Sequence, residues 1–336
     1  MKKILLILLI VFLTSCSKKK DVDEILQNKF QAVTYSANFE KPAIDLEENN
    51  LKEILVLLHD NMPEEKIKKH FKLNDSVYAI RINDLFGNGL IKKSADGNFV
   101  PACMVINLEN GNQIKKTADS LGKEISGIAM DRYEKIKSAY SKIPAFKNIS
   151  FENASMFILG NVIHNFWQMK FIEEKYLKAF PPKRGDSKYY LSIIEKIETG
   201  KEPFGLYLNK FNVTAKYTYG NYGNTTTSAL PASQKEVETI VTDKNSSIII
   251  VKNETASQLE NLAAIVADDL LSYLEKNRPL FVKLYLNSVY KDQTSFREWF
   301  VWFYQFIIAK TVNVLLEKNF IHHRSINSSS FILVKQ

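Results

Sequence analysis

The chain has 336 residues, 45% of them hydrophobic and 24% charged. Such proportions belong to a globular protein with one large core or two modest ones, and they exclude wholesale disorder, collagen-like repeats and a multi-span membrane protein. Two cysteines exclude a disulfide scaffold and a Cys-rich metal site. The balance of 45 Lys+Arg against 37 Asp+Glu comes from lysine, with 39 Lys to 6 Arg, which points to genome composition rather than a phosphate-binding surface.

The chain opens with Met1-Lys2-Lys3, runs Ile4 to Leu13 without a polar residue, and then reads Thr14-Ser15-Cys16. A short positive segment, a ten-residue apolar stretch and small residues before a break form a secretory signal, too short to remain as a spanning helix. Leu13-Thr14-Ser15-Cys16 resembles the lipobox of bacterial lipoproteins. The resemblance implies cleavage between Ser15 and Cys16, a diacylglyceryl thioether on the Cys16 sulfur and acylation of the new amino terminus. Two or more acyl chains anchor a protein stably, and Lys18, Lys19 and Lys20 beside an anionic leaflet add roughly 1 kcal/mol each. Ser17, rather than Asp, follows the cysteine, and by the sorting rule of some bacterial lipoproteins this implies the outer membrane. Lipidation of Cys16 leaves Cys103 without an intramolecular partner.

Val22, Ile25, Leu26 and Phe30 fall at helical spacing behind Asp21, and Pro42 ends any such element. Leu51, Ile54, Leu55 and Leu58 make an apolar stripe. Pro63 opens a second helix with Ile67 and Phe71, and Asn74 or Asp75 caps a third with Val77, Ile80 and Leu85 inward, stopped by Gly87 and Gly89. Leu90–Lys93, a turn at Asp96-Gly97 and Phe99–Ile106 read as a β-hairpin. Three short helices followed by a hairpin resemble a winged helix over Glu47–Asn107. The third helix carries Arg81 against Asp75 and Asp84, too few cations for base readout. The module is therefore expected to be structural or protein-docking, with no nucleic acid bound.

Ile114–Ile143 is expected to be one long helix or two, broken near Gly122 or Gly127, and Phe151–Lys178 a helix with a wide apolar face. Pro181–Asp186 reads as a loop. Tyr189–Ile197, Phe204–Phe211 and Val213–Tyr219 read as strands, Gly220–Ser233 as a mobile loop, and Ile248–Val251 as a buried strand. Helices are expected at Ala256–Lys276, Leu280–Val289 and Ser295–Leu316, and a last strand at Phe331–Val334. The run Trp299–Ile308 is apolar all round, but only 11 residues separate Glu298 from Lys310, so a buried core helix is expected rather than a membrane span. The expected class is helix-rich α+β: a signal peptide at 1–15, an anchor, tether and helix at 16–45, a winged-helix-like module at 46–110, and at 111–336 a mixed domain with an antiparallel sheet and a buried aromatic helix.

Chemistry is less legible. No HExxH, GxSxG or phosphate-cradling glycine loop is present. Adjacent His322 and His323 project in different directions and seldom share one ion, so no metal and no cofactor are expected. Cys103 reads as buried and inert. The paired acids Glu47-Glu48, Glu64-Glu65 and Glu173-Glu174 read as helix surface, whereas Asp268-Asp269 lies between apolar neighbours, so one of the two is expected inward with Arg278 or Arg297 as partner. Two functional readings follow. The first is a non-catalytic envelope lipoprotein that holds the bilayer through Cys16 and docks a protein, peptide or glycan. The second is an envelope hydrolase acting on peptides or cell-wall fragments, which needs His164, Asp268 or Asp269, and His322 or His323 in one cleft.

Overall fold

A computed structural model describes residues 21–196, 203–223, 231, 233–243, 246, 248–322 and 329–335. The chain is α+β and rich in helix, with small sheets. The expected signal peptide, Cys16 and His323 lie outside the described residues, as does most of the 220–233 segment.

The Asp21 carboxylate caps the backbone N–H of Val22 and starts a single turn, α1 (Val22–Ile25). The expected helix does not reach Phe30. The chain extends there into strand β1 (Phe30–Tyr35), because a sheet partner is available along its whole length. Helices α2 (Leu51–His59), α3 (Glu64–Phe71) and α4 (Asp75–Gly87) follow, the last capped by the Asn74 side chain on Val77 N. In α4 the inward stripe is Tyr78, Ile82 and Leu85, not Val77 and Ile80; Ile80 is exposed. Gly89, at φ +64°, ends the helix in the left-handed region.

Strands β2 (Ile91–Lys93) and β3 (Phe99–Pro101) pair across the Asp96-Gly97 turn. The expected hairpin stops at Pro101. Strand β4 (Met104–Ile106) leaves it and joins another sheet, since its three side chains are fully buried and need cover on both faces.

Helix α5 (Leu108–Asp131), capped by Asn107, runs unbroken through Gly122 and Gly127, contrary to the expected break. At Gly122 the missing side chain is a packing requirement, because a Cβ there would lie 2.7 Å from the Ile307 carbonyl oxygen on the facing helix. The chain breaks instead at Arg132, before α6 (Tyr133–Tyr140). The expected continuous helix over 151–178 is divided: α7 (Phe151–Ser155) widens into a π-helical stretch, Met156–Val162, and α8 (Phe166–Phe171) widens into a second, Ile172–Leu177. π turns are rare, and they concentrate at functional sites.

The expected loop at 181–186 holds part of a small hairpin, β5 (Lys183–Arg184) and β6 (Ser187–Lys188). Strand β7 (Tyr190–Glu195) is central to the first sheet, antiparallel to β1 and parallel to β4. Its alternation sorts two cores. Leu191 and Ile193 face a core with Leu55, Ile67, Leu85 and Val105, while Tyr190 and Ile194 face the larger helical core with Met104 and Ile106.

Strands β8 (Leu208–Val213) and β9 (Tyr217–Gly223) begin later than expected, and residues 203–205 form a 3-10 turn. β9 therefore takes in the first residues of the expected loop. Ser233 and Glu236 form a reciprocal cap at the start of α9 (Gln234–Thr242). The second sheet is mixed rather than antiparallel: β10 (Ile249–Val251) lies parallel to β11 (Ser330–Val334), and β11 and β8 flank β9 in antiparallel pairs.

Helices α10 (Asn253–Lys276), α11 (Arg278–Leu286) and α12 (Phe296–Glu317) complete the chain. α12 is long and apolar enough to cross a membrane, yet every residue from Trp299 to Ala309 is buried in the protein's own core. Stacking of Trp299 on Phe303, at 4.8 Å and 15°, extends an aromatic column along it.

Candidate functional site

The end of β1, the start of α8 and the first turns of α10 enclose a cavity of about 610 Å³. Its position follows from local chemistry. β1 stops at Tyr35, Ser36–Glu40 turn away over the opening, and α8 presents Phe166 and Trp167 on one side. Phe166 is held by Phe39, stacked at 5.8 Å and 9°, and by an edge contact with Trp167 at 5.0 Å. Phe180 stands at the rim, 70% exposed.

One acid in this cavity is out of place. Glu173, expected at a helix surface, is 5% exposed, whereas Glu174 points to solvent. It sits in the second π-helical stretch, where the backbone N–H of both Lys178 and Ala179 bonds to the Glu173 carbonyl. Its side-chain Oε1 has no hydrogen-bond partner. The Tyr190 hydroxyl lies beside the carboxyl and is the polar group that interacts with it, while the Tyr190 ring stacks on Tyr35 at 6.1 Å. Burial pushes the Glu173 carboxyl up to about 7, Glu174 pushes the same way, and only the Tyr190 hydroxyl opposes them. No cation is among the groups acting on it. A carboxyl in this state exchanges its proton near neutrality and offers an acceptor to whatever enters.

The rim carries charge of both signs. Lys170 pairs with Glu260 at 2.6 Å, and Glu40 accepts a hydrogen bond from the backbone N–H of Lys188. Acids outnumber bases in the lining, with Glu40, Glu173, Glu174 and Glu260 against Lys170 and Lys188.

A second cavity, of about 660 Å³, lies where α2 and α5 meet the segment after α11. His59 lines it, but its ring is fully engaged. Nδ1 lies 2.8 Å from Gln293 Oε1 and Nε2 3.2 Å from Asn110 Nδ2, which assigns the proton to Nδ1. Burial pulls its pKa down, so the ring is a neutral tie between elements.

Among the described residues, the candidates for a catalytic cleft sit in different surroundings. Asp268 and Asp269 are both exposed, and neither points inward. Asp269 pairs with Arg132 of the α5–α6 junction at 2.8 Å, not with Arg278 or Arg297. Arg278 reaches Glu275 and the Tyr176 carbonyl instead. His164 is 1% exposed, neither ring nitrogen has a partner, and burial drives its pKa down to about 3. The backbone N–H of His322 bonds to Ser155 Oγ at 2.8 Å, and His323 lies outside the described residues. Among the described residues no three His, Cys, Asp or Glu side chains are grouped to hold a metal. Cys103 is buried, and its thiol is pushed up to about 12.

The sequence signal for Glu173 was the pair Glu173-Glu174 within an apolar helical face. Deciding which of the two turns inward requires the π register. Compared with known proteins, the chain matches no family model, no curated protein and no solved structure.

Proposed function

We propose that this chain is a lipid-anchored bacterial envelope protein, held at the outer membrane through acylated Cys16, that acts as a non-catalytic binding module. The observation that carries the binding reading is Glu173, a buried carboxyl that lines an aromatic-walled cavity with no cation among the groups acting on it. A buried carboxylate without a charged partner is costly, and a ligand that pairs with it offsets part of that cost. The ligand is a piece of an envelope peptide, protein or glycan small enough for the cavity.

Residues 46–110 are read as a winged-helix-like structural or docking part. The order α2, α3, α4, β2, β3 supports this reading. Nucleic acid has no part in the proposal, because α4 carries one cation, Arg81, whose guanidinium donates to Asn50.

The hydrolase alternative would have to use Glu173 as its acid or base. Among the described residues that line the cavity, no His or Cys accompanies Glu173, which favours binding over turnover.

Two measurements test the proposal. Cys16→Ser should release the protein from membranes and abolish labelling by a fatty-acid probe; retained labelling refutes the anchor. Titration calorimetry with envelope peptide and glycan fractions should give heats that are lost in Phe180→Ala and Glu173→Gln. Turnover of a fraction that stops in Glu173→Gln would replace binding with hydrolysis.

A further inference from the structure

We infer that the cavity between β1, α8 and α10 recognises an organic ammonium group on an apolar stem, with the Glu173 carboxylate as its counter-ion and the side chains of Phe166, Trp167 and Tyr35 as its walls. The inference rests on the binding reading above and supplies its ligand class.

Three independent features converge. First, Glu173 lines the cavity, is almost wholly enclosed and has no cation among the groups acting on it, so the partner its carboxylate lacks is a charged donor. Second, the walls are aromatic, and aromatic faces attract cations while burying the carbon stem that carries them. Third, the lining is acidic in a chain whose net charge is +8. Of its two cations, Lys170 is already paired with Glu260, and Lys188 is exposed. An anionic ligand would meet the carboxylates of Glu40 and Glu174 as well as that of Glu173, and a neutral one would leave the buried carboxyl without a charged partner.

The groups facing Glu173 support the same assignment. From its own stretch comes Glu174, from β7 the Tyr190 hydroxyl, and from β1 Tyr35, whose own ionisation the Glu173 charge disfavours. None is a cation, so an incoming ammonium would supply the only positive charge in contact with the carboxylate. Binding then transfers a proton from the Glu173 carboxyl to water, leaving a carboxylate–ammonium pair. With the free carboxyl near 7, about half a proton is released per ligand at pH 7.

The test titrates the full purified chain with phenethylammonium, its neutral analogue 2-phenylethanol and its anionic analogue phenylacetate. Titrations are run at pH 7 in two buffers of different ionisation enthalpy. The expected result is saturable binding of phenethylammonium, at least tenfold tighter than 2-phenylethanol, no binding of phenylacetate, and buffer-dependent heats reporting proton release. Glu173→Gln, close in shape and uncharged, should abolish the proton release and reduce the preference for the amine to less than twofold. The chain binding Nα-acetyl-lysine amide as tightly would place the ammonium on a peptide, whereas binding of the free amine alone would point to a small metabolite. Equal binding of all three aromatic probes, or an unchanged preference in Glu173→Gln, overturns the ammonium assignment and leaves the binding site standing. No binding by any probe overturns the ammonium assignment too. The binding reading itself falls only if the envelope fractions also give no heat.

Discussion

Arg184 and Glu298 meet in the interior, with Arg184 Nη2 2.9 Å from both carboxylate oxygens and each side chain at most 4% exposed. The pair ties the β5–β6 hairpin to the first turn of α12. It also recruits its surroundings: Glu298 accepts from Thr294 Oγ1 and from Leu191 N of β7, and Arg184 donates to the carbonyls of Tyr189 and Ala102. One ion pair thus joins the central strand of the first sheet to the helix at the centre of the larger core. Removing one partner of such a pair leaves a buried charge alone, at a cost of roughly 3–5 kcal/mol, whereas replacing both with apolar residues is often close to neutral. Glu298→Leu should therefore lower the urea midpoint sharply, and Arg184→Met with Glu298→Leu should recover most of that loss. A double variant as unstable as the single one would show that the charge is not what the pair contributes.

Glu173 makes stability fall as pH rises. Its carboxyl titrates near 7 when folded, against an ordinary value of 4.5. Between those values the folded chain holds a proton that the unfolded chain has released, so stability declines from about pH 4.5 to 7, by roughly 3 kcal/mol in all, and is flat above. Glu173→Gln has no such titration. Urea unfolding should find it more stable than the parent at pH 8, with the advantage shrinking towards pH 4.5. An advantage of equal size at both ends would mean that the carboxyl does not titrate in this window.

His164 acts on the acid side with the opposite sign. Its folded pKa of about 3 lies below the ordinary 6.5, so the unfolded chain takes up a proton first and stability is lost as pH falls from 6.5 towards 3. The full loss amounts to roughly 4–5 kcal/mol. His164→Leu removes two unbonded buried nitrogens along with this dependence, so it should match or exceed the parent at pH 7 and outlast it at pH 4. Parallel curves for the two proteins would rule out a buried neutral ring as the cause.

Two glycines in α5 should respond oppositely to the same change. Gly127 has open space around it, so Gly127→Ala gains about 1 kcal/mol of helix propensity. At Gly122 the new methyl would press against the Ile307 carbonyl and the Lys310 side chain, where Thr311 Oγ1 also donates to the Gly122 carbonyl. Overpacking there costs about 1–3 kcal/mol. Thermal melts of the two variants should move in opposite directions, and a stabilised Gly122→Ala would show that α5 and α12 are not in close contact.

Element types were mostly legible because helix periodicity and capping are local. The stripe of α2, the Asn74 cap of α4, the span of α10 and the all-apolar run of α12 need only neighbouring residues to be read. Strand boundaries were less so. Phe30 fits a helical stripe as well as a strand, and only the pairing of β1 with β7 decides between them. The candidate site was hidden for the same reason, since Glu173 occupies a position that reads as helix surface, as Arg184 of the buried ion pair occupies one that reads as loop.

What the sequence determined by itself is the pattern of short-range order: where helices begin and which segment is apolar on every side. The tertiary structure alone decided which polar groups went inside. It placed Glu173 in a cavity, paired Arg184 with Glu298 and turned Asp268 and Asp269 out to solvent. The physical reason is that burial and charge pairing depend on residues more than a hundred positions apart, such as Arg184 and Glu298, while periodicity and capping act within a few turns.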